Sequence, residues 1–134
     1  WKNLDIHLPL QLDADRKHRT RVDGARGKPA HSLCQVKKYF DLGALVEITI
    51  TTGITHQIRA HLRAYNLAIF GDSLYSAGLP PQSIEVPRMM LHARELAYPD
   101  LQTDELIVYT ANYPEDFRQA YLNLRMTTNW GAGF

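Results

Sequence analysis

Thr51-Thr52-Gly53-Ile54-Thr55-His56-Gln57-Ile58-Arg59-Ala60-His61-Leu62-Arg63-Ala64-Tyr65-Asn66-Leu67-Ala68-Ile69-Phe70-Gly71-Asp72-Ser73-Leu74-Tyr75 is the stretch around which the rest of this chain is organised. It reads as a strand end, a glycine turn at Gly53, a short basic helix, and a second turn closing on Gly71-Asp72. Thr55 is placed to cap a helix running from about residue 56 to 65, its hydroxyl accepting a free backbone N–H. Ile58, Leu62 and Tyr65 recur at helical spacing and are expected to face the core, while His56, Arg59 and Arg63 form a second stripe. Asn66 stops the helix, and residues 67–70 are expected to be a short buried strand or extended link. A cation in the first turns of a helix opposes the helix dipole, so Arg59 points to an anionic partner. Asp72 reads as a turn carboxylate that bonds nearby backbone N–H groups rather than as a catalyst.

Outward from this stretch the pattern is mostly β. Ala44 to Thr52 alternates, with Val46, Ile48 and Ile50 on one face and Glu47, Thr49 and Thr51 on the other. Residues 31–40 suit a second strand, and the short Asp41-Leu42-Gly43 connection predicts an antiparallel pair. Residues 4–10 alternate as an edge strand containing Pro9. Between them, Arg16-Lys17-His18-Arg19-Thr20-Arg21, Asp23-Gly24 and Gly27-Lys28-Pro29 predict a cationic hairpin or loop. Downstream, residues 76–88 hold Gly78, Pro80, Pro81 and Pro87 and are expected to be irregular. Residues 89–98 and 106–109 read as strands. Pro114 opens a last helix at its first turn, with Phe117, Ala120, Tyr121 and Leu124 as its apolar stripe. Residues 126–134 lack a period and are expected to be a loose tail. The fold class is α+β: a mainly antiparallel, mixed β-sheet with two or three short helices, in one domain spanning residues 1–134.

Composition bounds the function. At 134 residues, 45% hydrophobic and 22% charged, the chain is ordinary for one globular domain. No apolar run reaches the roughly 18 residues a membrane span needs, and no secretory leader is seen at Trp1, so a cytoplasmic location is expected. The lone Cys34 fits a reducing compartment and sits in an apolar strand pattern, which reads as core rather than nucleophile. Because the chain starts without Met, it is expected to be a fragment. Net charge is +1, but residues 1–38 hold nine Lys/Arg against four Asp, and the remainder six Arg against ten acids. That asymmetry points to a polyanion-facing end; Arg16, Lys17, Arg19, Arg21, Lys28 and Arg63 are the candidate contacts, and a solvated basic hairpin is the alternative. Six histidines raise a zinc reading. His56 and His61, five apart, do not share a helix face as an i, i+4 pair does, and no second cysteine exists, so no metal is expected and a metal-dependent hydrolase is the weakest reading.

The segment Thr52-Gly53-Ile54-Thr55-His56-Gln57-Ile58-Arg59-Ala60-His61-Leu62, with Gly71-Asp72 and Tyr75, resembles the third conserved block of the RluA-type RNA pseudouridine synthases, Thr-Gly-Arg-Thr-His-Gln-Ile-Arg-Val-His. Arg88-Met89-Met90-Leu91-His92-Ala93 resembles the block after it, and Gly27-Lys28-Pro29-Ala30 the segment before it. The resemblance covers residues 27–98 and implies the C-terminal portion of that catalytic domain. It implies isomerisation of uridine to pseudouridine in structured RNA, rRNA or tRNA, without metal or organic cofactor. The family's nucleophile is an aspartate in a His-Arg-Leu-Asp block, assisted by a tyrosine from a separate block, and the resemblance places both upstream of this chain. No His-Arg-Leu-Asp occurs here, and His18-Arg19-Thr20-Arg21 lacks the carboxylate. The chain is therefore expected to be inactive alone, its partner being the missing N-terminal half. By resemblance, Arg59 pairs with the absent aspartate, Leu91 lines the base pocket, and Thr55, His56, Gln57 and Ile58 build its wall. Two departures stand out: Ile54 replaces the family's arginine, and Asn66-Leu67-Ala68 its Gly-x-Pro. The rival reading is a stand-alone RNA-binding module without catalysis.

Overall fold

A computed structural model describes residues 1–127. Nine elements follow in order: β1 (Asn3–Ile6), β2 (Leu10–Gln11), β3 (Arg21–Val22), β4 (Ser32–Phe40), β5 (Gly43–Ile50), α1 (Gln57–Ala64), β6 (Glu95–Pro99), β7 (Leu106–Thr110) and α2 (Glu115–Met126). They form an antiparallel three-stranded sheet β1-β4-β5 and two antiparallel pairs, β2-β3 and β6-β7. This is the α+β class that the alternating runs and two amphipathic stripes imply. Residues 128–134, most of the expected tail, lie outside the described residues; Met126 closes α2.

Register follows from which face is apolar. Leu4 lies opposite Cys34 and Cys34 opposite Ile48, so these three side chains share one face with Ile6, Ser32 and Val46. Ile6, Cys34 and Leu62 are the buried heart of that face, with Leu4, Val46, Ile48 and Ile58 packed around them. The opposite face carries Asp5, Leu33, Gln35, Glu47 and Thr49 and is largely polar. A bulge at Lys37 shifts the β4–β5 pairing between Val36 and Lys38. Ile50, on the apolar face by alternation, is nonetheless exposed.

Several expected boundaries move, each for a local reason. The strand expected over residues 4–10 breaks into β1 and β2, because Pro9 offers no N–H and its carbonyl is taken by the Asp23 N–H at 3.0 Å. Of the two alternatives for residues 67–70 the link is found and the strand is not, its carbonyls accepting from Met90 and Asp72. The strand expected from residue 89 begins only at Glu95. Arg88 donates to the carbonyls of Met89 and Leu91 and so curls the chain there. Tyr65 is exposed rather than core-facing.

A second cluster, Leu10, Ala30, Ala60 and Tyr75, anchors the other flank of α1. Helix α2 closes the β4–β5 end: Tyr121 meets Phe40 edge-on at 5.5 Å, and Arg88 grips Asp116 through two bonds of 2.7 and 2.9 Å. Beneath it lies an apolar cavity of about 410 Å³, lined among others by Leu42, Phe70, Leu91, Phe117 and Leu124. The β6–β7 hairpin is exposed on both faces, with Leu96 at 61% and Leu106 at 67% of full exposure. Isolated two-stranded hairpins are marginal in water, so an apolar pair this exposed stands out among the described residues.

Gly71 is required twice over. Its φ is +84°, and a Cβ there would fall 2.3 Å from the Arg88 carbonyl oxygen. Gly71→Ala should therefore destabilise by about 3 kcal/mol, left-handed strain adding to overpacking. Urea denaturation checks this; a variant within about 0.5 kcal/mol of the parent would show that the 70–71 and 88–89 segments separate freely.

Candidate active site

The site grows from the entry to α1. Gln57 is buried, and both ends of its amide are used. Its Oε1 accepts from the Thr52 hydroxyl at 2.8 Å and the Ile54 N–H at 3.2 Å. Its Nε2 donates to the His31 carbonyl at 2.7 Å and to Ser32 Oγ at 3.0 Å. Ile54 N–H can only donate and His31 carbonyl can only accept, which fixes the orientation of the amide. From Ser32 the network continues to His61, which is fully buried: Ser32 Oγ lies 2.8 Å from Nδ1, and Nε2 lies 2.8 Å from the Leu8 carbonyl. Only a donor can face a carbonyl, so His61 carries its proton on Nε2 and takes a hydrogen bond from Ser32 on Nδ1. Burial holds the His61 imidazole below its ordinary range.

His56 sits at the N-cap of α1 in the left-handed region, φ 58°, with no side-chain cap from itself or Thr55. The expected Thr55 cap does not form. Instead the Thr55 carbonyl accepts from the Thr20 hydroxyl at 2.8 Å, pinning the cationic loop to the motif. The left-handed turn costs about 1–2 kcal/mol for a non-glycine residue and is held by bonding of the ring. His56 Nδ1 lies 2.9 Å from the Tyr75 phenol, which also accepts the Thr20 N–H at 3.0 Å. A phenol that donates to Nδ1 leaves the neutral ring with an Nε2–H, and Nε2 has no fold partner among the described residues. Burial, aided by the neighbouring Arg59 charge, lowers the His56 pKa and keeps the ring neutral.

Arg59 has a carboxylate partner within this chain. Its Nε and Nη2 each donate at 2.8 Å to the two oxygens of Asp72, and its Cζ lies 4.6 Å from the Tyr75 ring centre. Asp72 also accepts the Tyr75 N–H at 3.1 Å, and its side chain is 1% exposed. Burial alone would push the Asp72 carboxyl up. Arg59 and the Tyr75 and Leu74 N–H groups outweigh it and hold the group below the ordinary range. The hydrogen bonds to Asp72 in turn raise Arg59 beyond its already high value. Nη1 of Arg59 has no partner among the described residues, and the side chain is 16% exposed. The anion that the sequence pattern demanded is thus first of all Asp72; what stays open is one edge of the guanidinium.

The other expected site residues divide. Gln57 has both ends of its amide bonded within the fold, and Ile58 packs with Ile6, Cys34 and Leu62. Leu91 lines the 410 Å³ cavity, whose lining includes neither His56 nor Arg59 nor Tyr75. Arg19 is half-buried against Asp15 at 2.8 Å and reaches the Leu74 carbonyl. Arg63 clamps Asn66 and the Ala77 carbonyl while its Nε is buried without a partner. Those two arginines are engaged within the fold and do not form an exposed patch. Arg16, Lys17, Arg21 and Lys28 remain exposed, Arg21 loosely paired with Asp15 at 3.6 Å. Burial pushes the Cys34 thiol up to about 11, as an inert core cysteine requires. Tyr75 and His61 join the network largely through partners distant in sequence, Thr20 and His56 for the one and Ser32 and Leu8 for the other, which residue spacing does not reveal.

This arrangement can be set beside known proteins. No family model matches the chain. It is 36% identical over 109 residues to the dual-specificity RNA pseudouridine synthase RluA of Pasteurella multocida, across 80% of this chain and 48% of that protein. The chain is related to the RluA-type RNA pseudouridine synthases. An uncharacterized RNA pseudouridine synthase of Bacillus subtilis, YhcT, is 35% identical over 114 residues, covering 84% of this chain and 36% of that protein. The chain spans about half or less of the length of these curated relatives. Among solved structures, human RNA pseudouridylate synthase domain containing 4 superposes with a TM-score of 0.71 at 24% identity, over 92% of this chain and 57% of that one. Domain containing 1 gives 0.69 at 23% identity. The chain therefore shares the fold of a part, 57–62%, of these pseudouridylate synthase structures.

Two measurements probe the site. Arg59→Met leaves a buried charge at Asp72 and should cost about 3 kcal/mol, whereas Arg59→Met with Asp72→Asn should recover most of it, read from urea denaturation. Equal losses in the single and double variants would mean that the pair is not energetically coupled. Stability should also fall as pH drops below about 6.5. Unfolded His61 and His56 take up protons that their folded forms, with lowered pKa, resist. The expected slope is at most about 1.4 kcal/mol per pH unit for each proton. A denaturation midpoint unchanged between pH 7.5 and 5.5 would overturn this assignment of neutral rings.

Proposed function

We propose that this chain forms one side of the active site of an RNA pseudouridine synthase. The other side, including a nucleophilic carboxylate, comes from polypeptide outside these 134 residues. The observation that carries this reading is the open edge of Arg59. Asp72 and the Tyr75 ring hold the guanidinium rigidly, and one N–H-bearing edge is left to receive a second carboxylate. A carboxylate so positioned is oriented without side-chain entropy still to be lost, which is how a nucleophile is prepared for attack. In the reaction the N1–C1′ bond of a uridine breaks, the base turns, and C5 bonds to C1′. The C5 proton is then lost and N1 gains one, so the product is an isomer and needs no redox partner.

The uridine has to leave its stack to reach such a site. His56, with a neutral ring and a free Nε2–H, is positioned as a donor to an oxygen of the extruded nucleotide. Arg16, Lys17, Arg21 and Lys28 supply exposed positive charge for the phosphate backbone, and rRNA or tRNA is the structured substrate this reading names. Leu91 and the apolar cavity are covered by the missing polypeptide, which also shields β6–β7. The exposed hairpin and open cavity favour this reading over a self-contained binding module.

The test is reconstitution. Combined with the upstream half of the domain carrying the aspartate, the chain should release tritium from RNA labelled at uridine C5, and alone it should release none. Arg59→Lys, which keeps the charge but loses the bidentate grip on Asp72, should lower turnover about 100-fold in the assembly, with RNA affinity nearly unchanged. Turnover by the 134-residue chain alone, or loss of RNA binding in parallel with activity, defeats the proposal.

A further inference from the structure

The polar face of the β1-β4-β5 sheet, away from the Arg59 site, brings three metal-binding side chains together. Continuing the β1–β4 register one step past the Ile6–Ser32 pair sets His7 opposite His31. Asp5 precedes His7 by two residues and so projects from the same face. Continuing the β4–β5 register one step past Ser32–Ile50 sets Thr51 opposite His31. Thr51, His31 and His7 thus form a row across three strands, with Asp5 beside it. Contacts confirm the row: the His7 and His31 rings stack at 4.3 Å and 15°, and both Nε2 atoms face one Asp5 oxygen, at 3.2 and 2.6 Å. The candidate ligand atoms of the three residues all lie within 4.8 Å of one another.

We propose that Asp5, His7 and His31 form a three-ligand site for a zinc-type divalent ion on the outer face of the sheet. Two imidazoles and one carboxylate match the preference of Zn²⁺ and leave a fourth, tetrahedral position for water. Ligands about 2.1 Å from a common centre stand about 3.4 Å apart in a tetrahedron, so the present spacing needs only small side-chain rotations. His7 and Asp5 are both exposed and free to make them. The two rings, now nearly parallel, must tilt so that their lone pairs converge.

Thr51 supplies the outer support that metal-bound histidines usually have. Its hydroxyl lies 2.9 Å from His31 Nδ1. Without metal, His31 Nε2 faces the Asp5 carboxylate and Nδ1 faces the Thr51 hydroxyl. With metal at Nε2, the proton resides on Nδ1 and the hydroxyl turns to accept it, since a hydroxyl can do either. The backbone of His31 is itself fixed: its N–H donates to the Thr52 hydroxyl at 2.9 Å, and its carbonyl accepts from Gln57. An ion here would staple the end of edge strand β1 to the start of β4. The site stands independently of the RNA reading, because none of its ligands contacts Arg59, His56 or Tyr75.

Isothermal titration of the folded 134-residue chain with Zn²⁺ should give saturable binding at one ion per chain, and Co²⁺ should give the visible absorption of a tetrahedral complex. His31→Ala and Asp5→Ala should each weaken binding at least tenfold, and Thr51→Val about tenfold. His18→Ala should leave it unchanged. All four positions are at or near the surface, and circular dichroism establishes that each variant is folded before titration. Absence of saturable one-to-one binding, or full binding retained in a His7→Ala/His31→Ala variant, overturns the site.

Discussion

One buried glutamine holds this structure together at the point where sheet becomes helix. Gln57 uses both donors of its amide on the start of β4 and accepts twice from the glycine loop that precedes α1. A buried primary amide left unpaired would be costly, so these partners are mutually required. The bracket sets the distance between sheet and helix and aims the first turn of α1. From that turn, His56 and Arg59 project to the same side as Tyr75 and Asp72. Every later element of the site inherits this geometry.

Charge is arranged in two shells around that turn. Arg59 and Asp72 form a nearly buried, bidentate pair, and such pairs contribute more to definition than to net stability. The Tyr75 ring lies against the guanidinium, and its phenol links Thr20 to His56, so the cationic loop, helix and Gly-Asp turn share a single network. Two groups have no partner among the described residues, Nη1 of Arg59 and Nε2 of His56. In the proposed function these are the groups that meet an acidic side chain and a nucleotide oxygen, and their fixed positions would keep the reorganisation cost low. In apolar terms, the β6–β7 hairpin carries exposed Leu96 and Leu106, and a cavity lined by Val46 and Ile48 opens on the sheet's apolar face.

Local pattern was legible where the physics is local. The alternation of Val46, Ile48 and Ile50, the short connection at Gly43 and the stripe of α2 specify the β4–β5 hairpin and the final helix, because side-chain period and turn length act within a few residues. The eleven residues from Thr52 to Leu62 pointed to the family for the same reason: loop, cap and cation lie in one contiguous run. Pattern misled wherever a distant partner decided. Thr55 has the chemistry of a cap but lends its carbonyl to Thr20. Arg19 and Arg63 look like phosphate contacts and are bound within the fold. Residues 89–94 alternate like a strand but are curled by Arg88.

By itself, then, the sequence determined the class of fold, the hairpin and helices, the kinship to the pseudouridine synthases, and Arg59 as the cation needing an anion. Only the tertiary structure decided that Asp72 is that anion's first instance. The same is true of His61 as a neutral, buried donor and of the row formed by Asp5, His7 and His31. The physical reason is range. Period, capping and turn chemistry are settled between neighbours, but ion pairing, tautomer and convergence of ligands depend on side chains brought within 3 Å of each other by strand register and by the Gln57 bracket.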